Sequence, residues 1–470
     1  MASGGQAIKL ALQVGSVVVL SRLLTPHDYG LVAMVAVVVG VADIFRDFGL
    51  SSAAVQAPSL SDRQRDNLFW INTLSGVGLS VVAWFTAPLV ASLYGVEELT
   101  SVMRALAVLF TLNGLATQYR AGLTRGMRFG ALAASDIVGS ALGLLAGVMG
   151  ALAGWGYHAL IAQQVTQVLV MTLSTVVVSR WLPARPTRGA DMSGLLRYGW
   201  HMVGSQVINY VGKNADTVIV GGRFGPSAAG LYNRGYQLLM VPMSQVLAPA
   251  TSVALPVLSR LQDQPARYAA FVVRAQLLLG YSLVAALGLV AGAAQPLVAV
   301  ALGDQWGEVT PILRLFAVAG ACDGLAFVGY WIYLSKGLTA DLRRFTLIST
   351  GLRLVCLLVG SQWGVVGVAA GFALAPALAW PLSLWIIARR SRMDTRPLLE
   401  GAGRVLVLAA TTGLVAWWAS RLTGSGSEIL ALVTAVAGGA IGYFAVVGLL
   451  PAWRADFLAG VRTVMRGIRH

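Results

Sequence analysis

Long runs of apolar residues, each followed by a short polar connection, extend along the whole chain. A helix needs about 20 mostly apolar residues to cross a bilayer, and fourteen runs approach that length. They lie at 6–24, 30–50, 68–93, 102–118, 132–153, 158–179, 198–221, 228–250, 275–295, 311–334, 345–360, 365–388, 405–420 and 429–450. No soluble domain fits between them. The pattern therefore predicts an all-α, polytopic membrane protein with about 14 transmembrane helices.

Composition agrees with this interpretation, since 57% of the 470 residues are hydrophobic and only 11% are charged. The net charge of +15 would suggest a nucleic-acid partner in a soluble chain, but here the basic residues lie between the apolar runs. With the N-terminus inside, 24 of the 34 Lys and Arg residues fall in the even-numbered connections and the C-terminal tail. Because basic residues collect in short cytoplasmic loops, we expect both termini to be cytoplasmic, in a cell membrane. We expect no nucleic-acid partner.

One motif occurs twice, which indicates a duplicated chain. Pro226 and Gly230 have the spacing of Pro26 and Gly30, about 200 residues earlier, and an arginine precedes each pair, Arg223 and Arg22. Ser52 and Ala54 against Ser252 and Ala254 extend the repeat. We predict two pseudo-symmetric six-helix lobes around a central cavity, followed by two C-terminal helices. The predicted parts are lobe 1–180, cytoplasmic linker 181–197, lobe 198–390, and helices 13 and 14 with a basic tail at 391–470.

Motifs of catalysis are missing from the sequence. It contains no Walker loop, HExxH, CxxC or GxSxG, and its four histidines are scattered. The two cysteines, Cys322 and Cys356, both lie in apolar runs and indicate neither a disulfide framework nor a metal site. We therefore expect no enzyme activity, no cofactor and no bound metal. The first apolar run has no small-residue cleavage site, so we interpret it as a retained helix.

Ionised side chains within the predicted spans are the informative ones, because such groups are costly in a bilayer and normally face a cavity or a partner. Seven are basic: Lys9, Arg46, Arg104, Lys213, Arg234, Arg314 and Arg353. The acids there are fewer: Asp43, Asp47, Asp136, Asp216 and Asp323. This excess of positive charge predicts a cavity that attracts an anion. The candidate binding residues are Lys213, Arg234, Lys9, Arg46, Asn209 and Asn214.

Each candidate also has a purely structural interpretation. Asp216 with Lys213, and Asp43 with Arg46, are spaced i, i+3 and can form pairs within one helix, or the two acids can serve in coupling. Lys9, Arg104 and Arg314 lie near helix ends and can extend to the headgroups, whereas Arg353 stays unassigned. The corner residues are Arg22, Pro26, Gly30, Arg223, Pro226 and Gly230. The two arginines either hold the corners by donating to free carbonyls or gate the outer mouth.

The repeated unit also carries a family resemblance. The stretches NYVGKNADTVIVGGRFGPSAAGLYNRGYQLLMVPMSQ (209–245), RLLTPHDYGLVAMV (22–35), DFGLSSAAVQ (47–56) and LPVLSRLQD (255–263) carry it. The chain resembles oligosaccharide flippases of the polysaccharide-synthesis branch of the multidrug/oligosaccharidyl-lipid/polysaccharide exporter superfamily, of the colanic-acid and succinoglycan exporter type. The resemblance covers most of the chain up to about residue 390.

The resemblance implies alternating access and a specific cargo. That cargo is an undecaprenyl-pyrophosphate-linked oligosaccharide, moved from the cytoplasmic to the outer leaflet for cell-surface glycan assembly. The implied partners are the lipid-linked oligosaccharide and membrane lipid, with a polysaccharide polymerase and glycosyltransferases as further candidates. Two alternatives stay open: a cation-coupled drug or metabolite antiporter of the same superfamily, for which an acid-rich cavity is expected, and a non-transporting scaffold of a glycan assembly complex.

Overall fold

The computed structural model describes residues 2–47, 54–55, 60–187, 193–423 and 427–468, and in these residues it contains helices and no strands. The first helices are α1 (Ala2–Leu23), α2 (Pro26–Asp47), α3 (Asp62–Tyr94), α4 (Glu98–Arg125), α5 (Phe129–Leu152) and α6 (Tyr157–Ser179). The stretch Ser193–Arg260 contains a non-helical residue, Gly225, and so comprises α7 (193–224) and α8 (226–260). The others are α9 (Pro265–Gly292), α10 (Ala294–Ala301), α11 (Val309–Ser335), α12 (Thr339–Gly360), α13 (Gly364–Ser391), α14 (Arg396–Arg421), α15 (Glu428–Leu449) and α16 (Pro451–Ile468).

Eleven helical stretches in the described residues are long and apolar enough to cross a membrane. Two of them, Tyr210–Arg260 and Thr339–Ser391, are 51 and 53 residues long and contain a turn each, so each contributes two crossings. With α1 added, the long helices are α1 to α9 and α11 to α15. The predicted all-α membrane fold with about 14 helices is confirmed. Ser52, part of the repeated motif, lies outside the described residues.

The contacts within the chain group Met1–Gly230 into one unit and Leu231–His470 into another. In the first unit α3 packs along α4, and α5 packs along both α6 and α1. Small residues allow α5 to approach α6 closely. A Cβ added at Gly139 would lie 2.8 Å from the backbone carbonyl oxygen of Gln167, and one added at Gly143 would lie 2.8 Å from that of Gln163. The predicted lobe boundaries stay a prediction.

The two repeated corners lie against each other within the first unit. Pro26 and Pro226 each occupy the first helical position, where a missing N–H costs nothing. Gly225 adopts φ 80°, which favours glycine. A Cβ added at Gly30 would overlap the backbone of Pro226, and one added at Gly230 would overlap the backbone of Pro26. This reciprocal contact agrees with the predicted duplication.

A capping box fixes the first corner. The carboxylate of Asp28 accepts hydrogen bonds from the backbone N–H of Thr25 at 2.9 Å and from its hydroxyl at 2.6 Å. In return, the Asp28 backbone N–H donates to the Thr25 hydroxyl at 3.3 Å. Such reciprocal bonds satisfy free donors at a helix start, so α2 begins at a defined residue.

The segment 181–187, here called the docked segment, is held on α3. Asn67 donates to the carbonyl of Thr187 and accepts from its backbone N–H, both at 2.9 Å. Trp70 Nε1 donates to the carbonyl of Ala184 at 2.8 Å, and the Arg65 guanidinium lies 3.9 Å from the Trp181 ring centroid. The first part of the predicted linker 181–197 is therefore attached to the first unit by side-chain contacts.

In the second unit an aromatic cluster joins α8, α11 and α13. Tyr232 and Phe316 meet edge to face with centroids 5.0 Å apart, and Phe316 meets Phe372 in the same way at 5.2 Å. A five-residue π-helical turn, Gly280–Val284, interrupts α9 beside α14. Helix α16 contacts α9 and α15. There Asp456 pairs with Arg404 of α14 at 2.8 Å, and the Trp453 indole donates to the Arg404 carbonyl.

Candidate functional site

A cavity of about 820 Å³ lies within the first unit, between α2, α4, α6 and α7. Its polar lining residues are Asp43, Arg46, Asn113, Thr117, Arg120, Thr124, Gln206 and Tyr210. Apolar walls with a few convergent polar groups are typical of ligand sites. Here the proportion of polar groups is higher, which suits a polar ligand or water.

Arg46 is held in place at the cavity wall by two hydrogen bonds. Its Nε donates to Asp43 Oδ1 at 2.6 Å, and its Nη1 donates to the Thr117 hydroxyl at 2.6 Å. The Thr117 hydroxyl donates in turn to the Asn113 carbonyl at 2.7 Å. Arg46 is only 7% exposed, whereas the Asp43 side chain is 40% exposed. The ion pair within α2, which the sequence left open beside a role in binding, is therefore present in the structure. The predicted roles of Arg46 in binding and of Asp43 in coupling stay predictions.

A second arginine, Arg120, reaches the same cavity from α4. Its Nη1 donates to Asp136 Oδ1 at 2.7 Å, while Lys9 Nζ of α1 donates to Asp136 Oδ2 at 3.0 Å. Asp136 of α5 thus receives a cation on each oxygen, and its side chain is 17% exposed. Lys9, a predicted binding residue, lies in this network rather than in the cavity lining, and its side chain is about half exposed.

Neutral groups of α7 complete the wall. The Tyr210 hydroxyl donates to the carbonyl of Ala36 at 3.2 Å. Gly40 leaves room for this hydroxyl, because a Cβ added at Gly40 would overlap the Tyr210 hydroxyl oxygen. Asn214, predicted to bind a ligand, donates to the Tyr210 carbonyl one turn earlier at 2.8 Å. The side chain of Asn209 lies outside the described residues.

The other predicted charged residues are not in this cavity lining. Lys213 is exposed, and Asp216 is buried and accepts from the Thr217 backbone N–H at 2.7 Å. Within the described part of the chain, no salt bridge joins Lys213 to Asp216. Arg234 is buried on α8, in the second unit. Their predicted roles in binding and coupling stay predictions.

Arg22 and Arg223 are both exposed and lie just ahead of the two corners. Arg22 is in the last turn of α1, and Arg223 is two residues before the turn at Gly225. Their position agrees with the interpretation that each serves its corner. Neither holding of carbonyls nor gating is tested by this placement, so both stay predictions.

Arg120 was not among the predicted binding residues, because its position in the sequence places it in the cytoplasmic connection after the fourth apolar run. A signal was present: Asn113, Thr117, Arg120 and Thr124 recur at spacings of four, three and four residues. That period places them on one face of an otherwise apolar helix. A polar stripe in a membrane helix indicates a neighbouring polar cavity.

Comparisons with known proteins agree with this architecture. Among solved structures, the chain is similar to the lipid II flippase MurJ in an inward closed conformation, with 12% identity and a TM-score of 0.73 over 95% of this chain and 98% of that one. An inward-facing multidrug resistance transporter of the MATE family, of the MOP superfamily, has 16% identity and a TM-score of 0.59 over 83% of this chain and 99% of that one. At these identities the likeness concerns the fold.

Sequence relatives add the biological context. The teichuronic acid biosynthesis protein TuaB of Bacillus subtilis is 26% identical over 89% of this chain and 88% of its own length. The lipopolysaccharide biosynthesis protein WzxC of Escherichia coli is 22% identical over 86% of this chain and 81% of its own length. The succinoglycan biosynthesis transport protein ExoT of Rhizobium meliloti is 26% identical over 66% of this chain and 62% of its own length. A family described as polysaccharide biosynthesis protein matches residues 19–311. The chain belongs to this family of multi-span polysaccharide biosynthesis proteins.

Proposed function

We propose that this protein flips an undecaprenyl-pyrophosphate-linked oligosaccharide repeat unit from the cytoplasmic to the outer leaflet of the inner or plasma membrane, by alternating access. Both termini are cytoplasmic in this proposal, as the distribution of basic residues predicts. The product serves the assembly of an exopolysaccharide or cell-surface glycan. A polysaccharide polymerase and glycosyltransferases are the proposed partners.

The observation that carries the proposal is the 820 Å³ cavity, which is lined by Arg46 and Arg120, each held by a hydrogen bond to a neighbouring helix. Among the described side chains, these cations and Lys9 pair with two carboxylates, Asp43 and Asp136. These five described groups carry one positive charge in excess. A pyrophosphate accepts several hydrogen bonds from planar guanidinium groups, so this group of the cargo would lie beside Arg46 and Arg120.

The neutral lining suits the sugar part of the cargo. Asn113, Thr117, Gln206 and Tyr210 offer donors and acceptors of the kind that hydroxyl-rich ligands use. Two of these, Thr117 and Tyr210, already bond to protein carbonyls and so are held in place. The charge balance also favours this cargo over a cationic drug, since an antiporter for cations would need an excess of acids.

A binding titration with a short-chain polyprenyl diphosphate tests the proposal. Removing one charged hydrogen bond costs about 1.5 to 3 kcal/mol, so Arg46→Gln and Arg120→Gln should each weaken binding at least about tenfold. Arg104→Gln is the matched control, because Arg104 lies outside the cavity lining, 5.3 Å from the Trp84 ring centroid. Arg46→Gln also leaves Asp43 unpaired, which can lower stability. The double variant Asp43→Asn/Arg46→Gln removes that unpaired charge, so weak binding that persists in it is due to the missing arginine.

Lys213→Glu and Arg234→Glu test the two cations that the sequence predicts beyond this cavity. Both should abolish export of the glycan while the protein level is kept. In a deletion strain, the lipid-linked oligosaccharide should accumulate on the cytoplasmic side. Unchanged affinity in Arg46→Gln and Arg120→Gln would remove these arginines from the binding site. Loss of the surface glycan in the deletion strain without accumulation of the lipid-linked oligosaccharide would refute the transport function and leave the scaffold alternative.

A further inference from the structure

The second unit contains an apolar groove of about 640 Å³ between α9, α11 and α14. Small residues make the space: a Cβ added at Gly288 would overlap the carbonyl of Ala409, which means that α9 and α14 approach closely there. Val318 and Leu414 line the groove and are 51% and 63% exposed. The groove therefore opens at the surface of this unit and is not an enclosed core cavity.

One charged residue, Arg314, lies among the apolar groups that line the groove. It is half-buried, and within the described part of the chain no hydrogen bond or salt bridge is formed by its guanidinium. An arginine in a membrane span normally has a partner, because an unpaired charge is unfavourable there. The groove thus combines an arginine, which an anion can pair with, and an apolar surface, which a hydrocarbon chain can cover.

The level of Arg314 along the groove follows from the helix contacts. Gly320 of α11 lies against Leu287 of α9, and Gly324 lies against Val284, so α11 runs opposite to α9. Counting six residues from Gly320 toward the start of α11 therefore brings Arg314 to the level of Gly292 at the end of α9. The charge lies at one end of the groove and not in its middle.

A second cation lies at the same end. Gly292 of α9 lies against Gly413 of α14, and one turn later Trp417 lines the groove. The guanidinium of Arg421 lies over the Trp417 ring, 3.9 Å from its centroid. Arg421 borders the connection between the thirteenth and fourteenth apolar runs, an odd-numbered connection, and the charge distribution assigns such connections to the outer side. We therefore expect this cationic end to be at the outer headgroup level.

The length of the groove limits its occupant. Lining residues extend over 314–322 in α11 and 406–417 in α14. At 1.5 Å per residue these ranges span about 12 and 16 Å, roughly half of a hydrocarbon core about 30 Å thick. This matches an acyl chain of one leaflet. An undecaprenyl chain is several times longer than the groove and would leave most of its length outside.

We propose that this groove is a binding site for one anionic phospholipid of the outer leaflet, separate from the cargo cavity. One acyl chain lies along the small residues of α9 and α14. Its phosphate accepts hydrogen bonds from Arg314 and lies within the field of Arg421. Net negative headgroups are preferred over zwitterionic ones, because no carboxylate lines this groove to attract a choline or an amine.

Native mass spectrometry of the intact protein tests this site, with phosphatidylglycerol and phosphatidylcholine supplied in equal amounts. The wild-type protein should retain one phosphatidylglycerol in preference to phosphatidylcholine. Arg314→Gln should reduce that retained fraction about tenfold, since one charged hydrogen bond is lost. Arg104→Gln, which removes an arginine near the outer end of α4, should leave it unchanged. Equal retention of the two lipids, or full retention in Arg314→Gln, would overturn the proposal.

A steric pair gives an independent check on the groove itself. Ala410 lines the groove, whereas Val407 is on the same helix, is 50% exposed and lies outside the lining. Ala410→Phe should exclude the lipid, and Val407→Phe should retain it, with both variants eluting as intact protein. Addition of a polyprenyl monophosphate should not displace phosphatidylglycerol. Displacement would assign the groove to the cargo tail and refute a phospholipid site.

Discussion

The contact between the two corners makes a quantitative prediction for Gly30 and Gly230. A Cβ at Gly30 would overlap the backbone of Pro226, and one at Gly230 would overlap the backbone of Pro26. Because a backbone carbonyl cannot rotate away as a side chain can, we expect the upper part of the overpacking cost, about 2 to 3 kcal/mol. Alanine regains up to about 1 kcal/mol in helix propensity. The net loss in the free energy of unfolding is then about 1 to 2 kcal/mol for each variant.

Gly15→Ala is the matched control, because nothing lies within 4 Å of a Cβ added there. Gly15→Ala should become slightly more stable, because alanine has a higher helix propensity than glycine. The measurement is unfolding of the purified protein in mixed micelles, followed by circular dichroism. The double variant Gly30→Ala/Gly230→Ala should lose less than the sum of the single losses, since one separation of the corners relieves both contacts. Equal stability of Gly30→Ala and Gly15→Ala would refute the close contact.

Three further predictions concern polar contacts. Asp136→Asn should lower stability more than Arg120→Gln alone, because it leaves Lys9 and Arg120 without their shared carboxylate. A double-mutant cycle of the two variants should give a coupling energy of about 1 to 3 kcal/mol, and independent losses of stability would contradict the pairing. Asn67→Ala should free the docked segment and speed its cleavage by protease in inverted vesicles, and an unchanged rate would mean that other contacts suffice. Within the predicted spans, Arg353 Nη2 lies 4.0 Å from Asp323 Oδ2. Arg353→Gln leaves this carboxylate unpaired, so adding Asp323→Asn should restore part of the lost thermal stability. A further loss of stability in the double variant would argue against the pair.

Local pattern was sufficient to predict the helices and corners. Run length gave the number of spans, and the repeated proline and glycine gave the turns at Pro26 and Pro226, where the new helix begins at the proline itself. Proximity in sequence also predicted the pair of Asp43 and Arg46. The same reasoning predicted a bond between Lys213 and Asp216, where the structure has none within its described residues. Spacing allows a helical pair, but the surroundings of each side chain decide whether it forms.

Contacts between distant parts of the chain could not be predicted in this way. Lys9 meets Asp136 across 127 positions, and nothing in either local sequence indicates the partner. Arg120 belongs to the same network and also lines the cavity, although it lies near the end of α4. Arg314 was interpreted as extending to the headgroups, and only the packing of three helices reveals the groove beside it.

The docked segment has a consequence for the biogenesis of the protein. Its described contacts with the first helices are made by residues that precede it in the chain and are synthesised earlier: Arg65, Asn67, Phe69, Trp70 and Tyr119. The ribosome delivers the chain from the N-terminus, and the parts of large proteins generally fold in that order. Residues 181–187 can therefore dock on α3 before the ribosome has made α7. The seventh helix then enters the membrane from a fixed point beside the first six, which restricts the sites at which the translocon can release it.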